Sequence, residues 1–107
     1  MEFIETAIFT RQALELFSED EYRELQLGLA ERPDQGDIIK GSGGLRKIRV
    51  AAKGKGKRGG VRVIYYWITA REQIYLLLAY SKNYKDNLSA EELALLRALM
   101  KKELGYG

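Results

Sequence analysis

The sequence predicts an α+β fold: a small antiparallel sheet with two N-terminal helices and a C-terminal helix, in the order β-α-α-β-β-β-α. Three observations predict it. Ser18 stands three residues before Glu21, and Ser89 three before Glu92, each ahead of an amphipathic run, which marks two helix starts. Val61–Ile68 and Ile74–Tyr80 are β-branched, aromatic or aliphatic almost throughout and too short for buried helices. Glycines gather at 41–44 and 54–60, where the chain must turn between strands.

Phe3, Ile4, Ala7, Ile8 and Phe9 predict a first strand over Glu2–Phe9. Thr10 then caps a short helix carrying Ala13, Leu14 and Phe17. Ser18 opens the second helix, with Tyr22, Leu25, Leu29 and Ala30 on one stripe, and Pro33 and Gly36 end it. After the glycine loop comes a strand, Leu45–Ala51. It places Arg46, Ile48 and Val50 on one face and Leu45, Lys47, Arg49 and Ala51 on the other.

Ala52–Gly60 is too polar and too rich in glycine for a strand interior and reads as a hairpin connection. Val61–Ile68 is apolar on both faces apart from Arg62. Thr69–Gln73 turns the chain into Ile74–Tyr80, and Ser81–Leu88 is a polar loop. Ser89 starts the last helix, made amphipathic by Leu93, Leu96, Leu99, Met100 and Leu104. With 107 residues, no internal repeat and no linker, residues 1–107 form one domain with one core.

Charge is segregated along the chain. The net +3 conceals a block, 38–71, with ten Lys or Arg and no acid, preceded by a block, 1–37, with ten acids and three bases. A block this cationic repels itself unless an anion covers it, and nucleic acid is the commonest such partner. The plainer reading is a solvated loop, which accounts for Lys53–Gly60 but not for arginines inside the flanking apolar runs.

There is no cysteine and no histidine. That removes disulfides, thiolate and imidazole metal sites, and Ser-His or Cys-His nucleophiles. Catalysis, if present, runs on Lys, Arg, Tyr, Asp or Glu, and neither metal nor cofactor is expected. No apolar run approaches the roughly 18 residues of a membrane span. Met1–Glu5 lacks a basic n-region, so a cytoplasmic location and no membrane partner are expected.

The candidate functional residues form three groups: Arg46, Lys47 and Arg49 on the second predicted strand; Lys53, Lys55, Lys57 and Arg58 in the hairpin connection; and Arg62 with Lys82, Asn83, Tyr84 and Lys85. In an antiparallel pair the start of one strand lies opposite the end of its partner, so Arg62 and Lys82 are expected close in space. Arg62 either pairs with a buried acid, for which Glu72, Asp86 and the distant N-terminal acids are candidates, or points at a ligand anion. The glycines at 54–60 do not make a phosphate loop, because neither nucleotide-binding glycine pattern is present and no helix follows. The aromatic residues of the strands read as packing, with Tyr80 or Tyr84 at the strand end able to face a nucleotide.

These residues carry a resemblance. The run Gly43–Val50, the Lys/Gly stretch into Gly60-Val61-Arg62-Val63-Ile64-Tyr65-Tyr66, and Tyr80-Ser81-Lys82-Asn83 with Asp86 and Leu88-Ser89 resemble the RelE/HigB family of toxins from bacterial toxin–antitoxin modules. The match covers nearly the whole chain. It implies an mRNA endonuclease that cuts codons in the ribosomal A site, with ribosome and mRNA as partners, silenced by a cognate antitoxin of helix-turn-helix type.

The resemblance also implies roles. Arg62 matches the family's strand arginine on the scissile phosphate. Lys53 and Lys55 lie in the loop that holds its catalytic lysines, and Lys82 matches its basic residue after the last strand. Arg46, Lys47, Arg49, Lys57, Arg58, Tyr84 and Lys85 are left to grip RNA and ribosome. Asn83 stands where well-known members carry a second arginine, Tyr84 where relatives often carry Glu, and no tyrosine stands near the start of the last helix. The general base therefore stays open.

The chemistry suits a chain without histidine. RNA brings its own nucleophile, the 2′-OH. The protein must supply a base, cations for the phosphorane and an acid for the departing 5′-oxygen, with no metal required. Crowded lysines lower one another's pKa, which brings one toward service as a base. Two other readings are a gyrase-poisoning toxin of the related ParE type, which needs no converging cations, and a nucleic-acid-binding module without catalysis.

Overall fold

The structure is a computed structural model that describes residues 1–52, 60–85 and 87–105. Its first strand, β1 (Glu2–Glu5), stops short of the apolar run that follows it. Thr6 ends it. The Thr6 hydroxyl accepts the Phe9 N–H at 3.0 Å and donates to the Leu77 carbonyl at 2.9 Å, so one side chain caps α1 (Ala7–Leu16) and ties it to the sheet. Thr10, expected as the cap, lies within the helix and donates to the Glu5 carboxylate. Ala7-Ile8-Phe9 fits either a strand or a helix by periodicity. Burial of Phe9 and Ala13 on one face settles it as helix and leaves Leu14 78% exposed.

The second helix, α2 (Glu19–Glu31), begins at the predicted capping box, with both reciprocal bonds between Ser18 and Glu21 formed. Leu25 and Leu29 face the core, while Ala30 of the predicted stripe is exposed. Past the helix, a two-residue strand, β2 (Asp37–Ile38), pairs with β3 (Arg46–Val50). No propensity reports so short a strand; the turn makes it. Ser42, 2% exposed, accepts the Leu45 N–H at 3.0 Å and donates to the Ile39 carbonyl, closing the Gly41–Gly44 loop.

β4 (Val61–Ile68) and β5 (Gln73–Ser81) are the buried centre of a five-stranded sheet in the order β1-β5-β4-β3-β2. Where a wholly antiparallel sheet was expected, β1 runs parallel to β5 and the sheet is mixed. The long connection from β1 through the helices and the other strands returns β5 alongside it, and only such a connection permits a parallel pair. Most of the predicted 52–60 connection, residues 53–59, lies outside the described residues.

The sheet separates two apolar clusters. Phe9, Leu25 and Leu29 pack on Val61, Val63 and Tyr65 from the α1–α2 side. Met100 of α3 (Ala90–Glu103) packs with Leu45, Ile64 and Tyr80 on the other side. The β4–β5 register slips between Ile64, opposite Leu78, and Tyr65, opposite Leu76, so Leu77 is an extra residue. This bulge reverses the face on which even-numbered residues of β5 lie. Ile74 and Leu76 face α1 and α2, whereas Leu78 and Tyr80 face α3.

Tyr65 binds the α2–β2 connection to the sheet. Its buried hydroxyl donates to the Pro33 carbonyl at 2.7 Å and accepts the Gly36 N–H at 2.9 Å. Tyr65→Phe should lower unfolding stability by about 1–3 kcal/mol, the cost of leaving the Gly36 donor buried without its acceptor. Urea titration of the variant checks this, and an unchanged midpoint would refute it.

Candidate functional site

Cross-strand register builds one row of the site. Arg49 of β3 stands opposite Arg62 of β4, which stands opposite Tyr80 of β5. Lys47, two residues before Arg49, shares that face, opposite Ile64 and Leu78. This is the face covered by α3, and the bulge at Leu77 is what puts Tyr80 on it. Like charges directly opposite one another disfavour the strand pairing, and an anion laid across Arg49 and Arg62 would relieve the repulsion.

Arg62 is 1% exposed, the largest fully buried side chain among the described residues. Glu72, one of its candidate acid partners, sits at the far end of the β4–β5 hairpin, about 20 Å away along the strand. Asp86, another, lies outside the described residues.

The expected neighbour of Arg62 is close. The Lys82 N–H donates to the Gly60 carbonyl at 3.3 Å, two residues before Arg62 in the chain. Gly60 has φ +80°, and a Cβ there would lie 2.6 Å from the Val50 carbonyl oxygen, so only glycine lets β3, β4 and the end of β5 meet here. Lys82 itself is exposed.

Two polar ties hold the segment after β5. Lys85 forms an ion pair with Glu92, and its Nζ lies 5.1 Å from the Tyr80 ring centre and 5.6 Å from that of Tyr84. Lys47 Nζ donates to Asn87 Oδ1 at 2.8 Å. Glu92 does two jobs: one carboxylate oxygen accepts the Ser89 N–H at 2.9 Å in the capping box of α3, and the other takes Lys85. Sequence reading finds the cap from its spacing. It misses the clasp, because nothing local signals the approach of Lys85, and it misses Asn87 altogether.

The Lys85 hydrogen bond, followed by that of the Ser89 N–H, holds the Glu92 carboxyl below its ordinary range against a smaller opposing effect of burial. A depressed carboxyl stabilises the fold above its unfolded pKa and loses that contribution as pH falls through the folded value. Glu92→Gln keeps the capping geometry but not the charge. Its melting temperature should therefore lie below wild type at neutral pH and converge with it in acid. Thermal melts across pH check this, and a constant gap would count against it.

The other candidate residues scatter. Arg46 faces α2, where its guanidinium donates to the carbonyls of Gly36 at 2.8 Å and Asp34 at 3.1 Å, a structural closure of the loop before β2. Tyr84 is 78% exposed at the rim. Lys53, Lys55, Lys57 and Arg58 lie outside the described residues. No group of acidic side chains among the described residues gathers to hold a metal ion, and no described helix is long and apolar enough to cross a membrane. The structure thus brings Lys47, Arg49, Arg62, Tyr80, Lys82 and Lys85 to one end of one sheet face, where Tyr84 and Lys85 lead into a groove beside α1.

Comparison with known proteins gives two kinds of match. Residues 6–106 match the family model for the RelE toxin of the RelE/RelB toxin–antitoxin system. Among solved structures, the chain is similar to one in the intact E. coli RelBE toxin–antitoxin complex, with TM-score 0.58 and 13% identity over 75% of this chain and 94% of that one. It is also similar to an arginine-to-alanine double mutant of E. coli toxin RelE in the free state, with TM-score 0.57 and 12% identity over 78% of this chain and 85% of that one. At these identities the structural likeness establishes the fold alone.

Proposed function

Since this chain belongs to the RelE toxin family of RelE/RelB toxin–antitoxin systems, we propose that it is a ribosome-dependent mRNA endonuclease that cuts mRNA in the ribosomal A site and stops translation. The observation that carries this reading is the convergence of Lys47, Arg49, Arg62 and Lys82 at one end of one sheet face. A gyrase poison would have no use for that convergence.

The reaction needs no group beyond the chain and its RNA. A base removes the 2′-OH proton, O2′ attacks the adjacent phosphorus, the P–O5′ bond breaks, and an acid protonates the departing 5′-oxygen. The products are a 2′,3′-cyclic phosphate and a 5′-OH. Arg62 and Lys82 meet the phosphorane charge, the largest single contribution in such reactions. One of Lys53 and Lys55 serves as the base. Arg49, Lys57 and Arg58 grip the ribosome, Lys47 and Lys85 brace the 82–89 segment, and Tyr84 faces RNA. Arg46 holds the fold. The partner that silences the toxin is a cognate antitoxin of helix-turn-helix type laid over the basic face.

Primer extension on mRNA from a translating extract tests the reading. Cleavage at defined positions within A-site codons, persisting with a chelator once magnesium is restored for the ribosome, is the expected result. Intact mRNA together with inhibited gyrase would overturn it in favour of the ParE-type activity.

A further inference from the structure

Beside the cationic face lies a groove of about 350 Å³ that the catalytic reading uses only at Tyr84 and Lys85. It sits at the lower end of the range of about 300–1,000 Å³ that ligand sites occupy. One wall is α1. Ile8, Gln12 and Glu15 recur there at i, i+4 and i+7, one stripe of the helix. The opposite wall is the end of β5 and the turn after it, with Tyr84 at the rim. Ile8 is 44% exposed and Tyr84 78% exposed, so an apolar side chain and an aromatic ring both stand open to a flat ligand.

Facing Tyr80, Ser81, Lys85 and Glu92, the two polar groups of α1 have a definite order. Gln12 Oε1 accepts the Ala79 N–H at 2.8 Å. That commits the amide oxygen to the strand and leaves the Nε2 hydrogens for the groove that Gln12 lines. Glu15, three residues on, offers a carboxylate, which only accepts. One donor beside one strong acceptor, on one helix face and across from an exposed ring, matches the edge of a nucleobase with the reverse order. Guanine has it: O6 accepts, and N1–H with N2–H donates in a pair to a carboxylate.

We propose that this groove is a nucleobase subsite that selects guanine next to the phosphate held by the cationic face. Gln12 donates to O6, Glu15 accepts from N1–H and N2–H, and the Tyr84 ring stacks on the base. The inference rests on the endoribonuclease reading and deepens it: the cationic face holds phosphate of any sequence, and this groove supplies the codon preference.

The test compares cleavage-site profiles of wild type, Glu15→Gln and Gln12→Glu on one mRNA set in a translating extract. Gln12→Glu keeps an acceptor for the Ala79 N–H, so the helix–strand tie survives while the groove loses its donor. Both variants should lose preference for guanine at one fixed position relative to the cut, by about tenfold or more, while cleavage elsewhere persists. Tyr84→Ala should weaken cutting about tenfold, with Tyr84→Phe restoring it, as stacking requires. An unchanged base profile in both helix variants, or a uniform fall at every codon, overturns the subsite. A wild type that cuts no RNA overturns the endoribonuclease reading instead, so the two failures are distinct.

Discussion

Arg62→Met is expected to abolish growth arrest and to lower cleavage in a translating extract by about 10²–10³-fold, while the fold stays intact. At 1% exposed, Arg62 keeps a guanidinium in the interior of the sheet face. Replacing a buried ion pair as a whole by apolar side chains is often neutral or stabilising by about 1–4 kcal/mol, whereas removing one member costs roughly 3–5 kcal/mol, so the stability of the variant reads which role Arg62 has. An inactive variant that keeps its stability would mark Arg62 as kept for phosphate and not for the fold. Arg62→Lys should recover part of the activity, since it keeps the charge but not the two-pronged donor geometry. An inactive methionine variant that melts far lower, by the roughly 3–5 kcal/mol of a broken buried pair, would make Arg62 a structural residue. A fully active one would remove it from the reaction.

Naked mRNA is expected to be cut at least about 10²-fold more slowly than ribosome-bound mRNA, because the ribosome supplies the alignment of O2′ with the departing oxygen. The basic residues should divide accordingly. Neutralising two of Lys53, Lys57 and Arg58 should weaken ribosome binding and flatten its log–log salt dependence by about one to two, on the order of one for each phosphate that the variant no longer neutralises. Arg62 and Lys82 variants should bind nearly as wild type and fail to cut. Sedimentation with ribosomes over a salt series, beside cleavage assays on free and translated mRNA, reads both. Efficient cutting of free RNA by the wild type would end this division of labour.

Local physics fixed much of what the sequence determined. The capping serines placed the starts of α2 and α3, and the unbroken apolar runs placed β4 and β5 at the sheet centre. Hairpin register brought Lys82 beside the strand that carries Arg62. Absence of histidine and cysteine narrowed the available chemistry, and charge segregation pointed to an anionic partner. Each of these depends on neighbours within a few residues or on composition, so each can be read without the fold.

What only the tertiary structure decided depends on groups far apart in the chain. Thr6 caps α1 and is tied to the sheet by the carbonyl of Leu77, seventy-one residues away. β1 runs parallel to β5 because nearly the whole chain intervenes. Arg46 serves the loop before β2, and Lys85 is held by Glu92, so two cations that look alike in the sequence have different duties. The bulge at Leu77 is the sharpest case. One extra residue reverses the alternation of a strand, and strict period-two reading of Ile74–Tyr80 would send Tyr80 to the α1–α2 side. The bulge turns it toward α3, opposite Arg62. Pairing with β4 sets that parity, and a strand read alone contains no partner to set it.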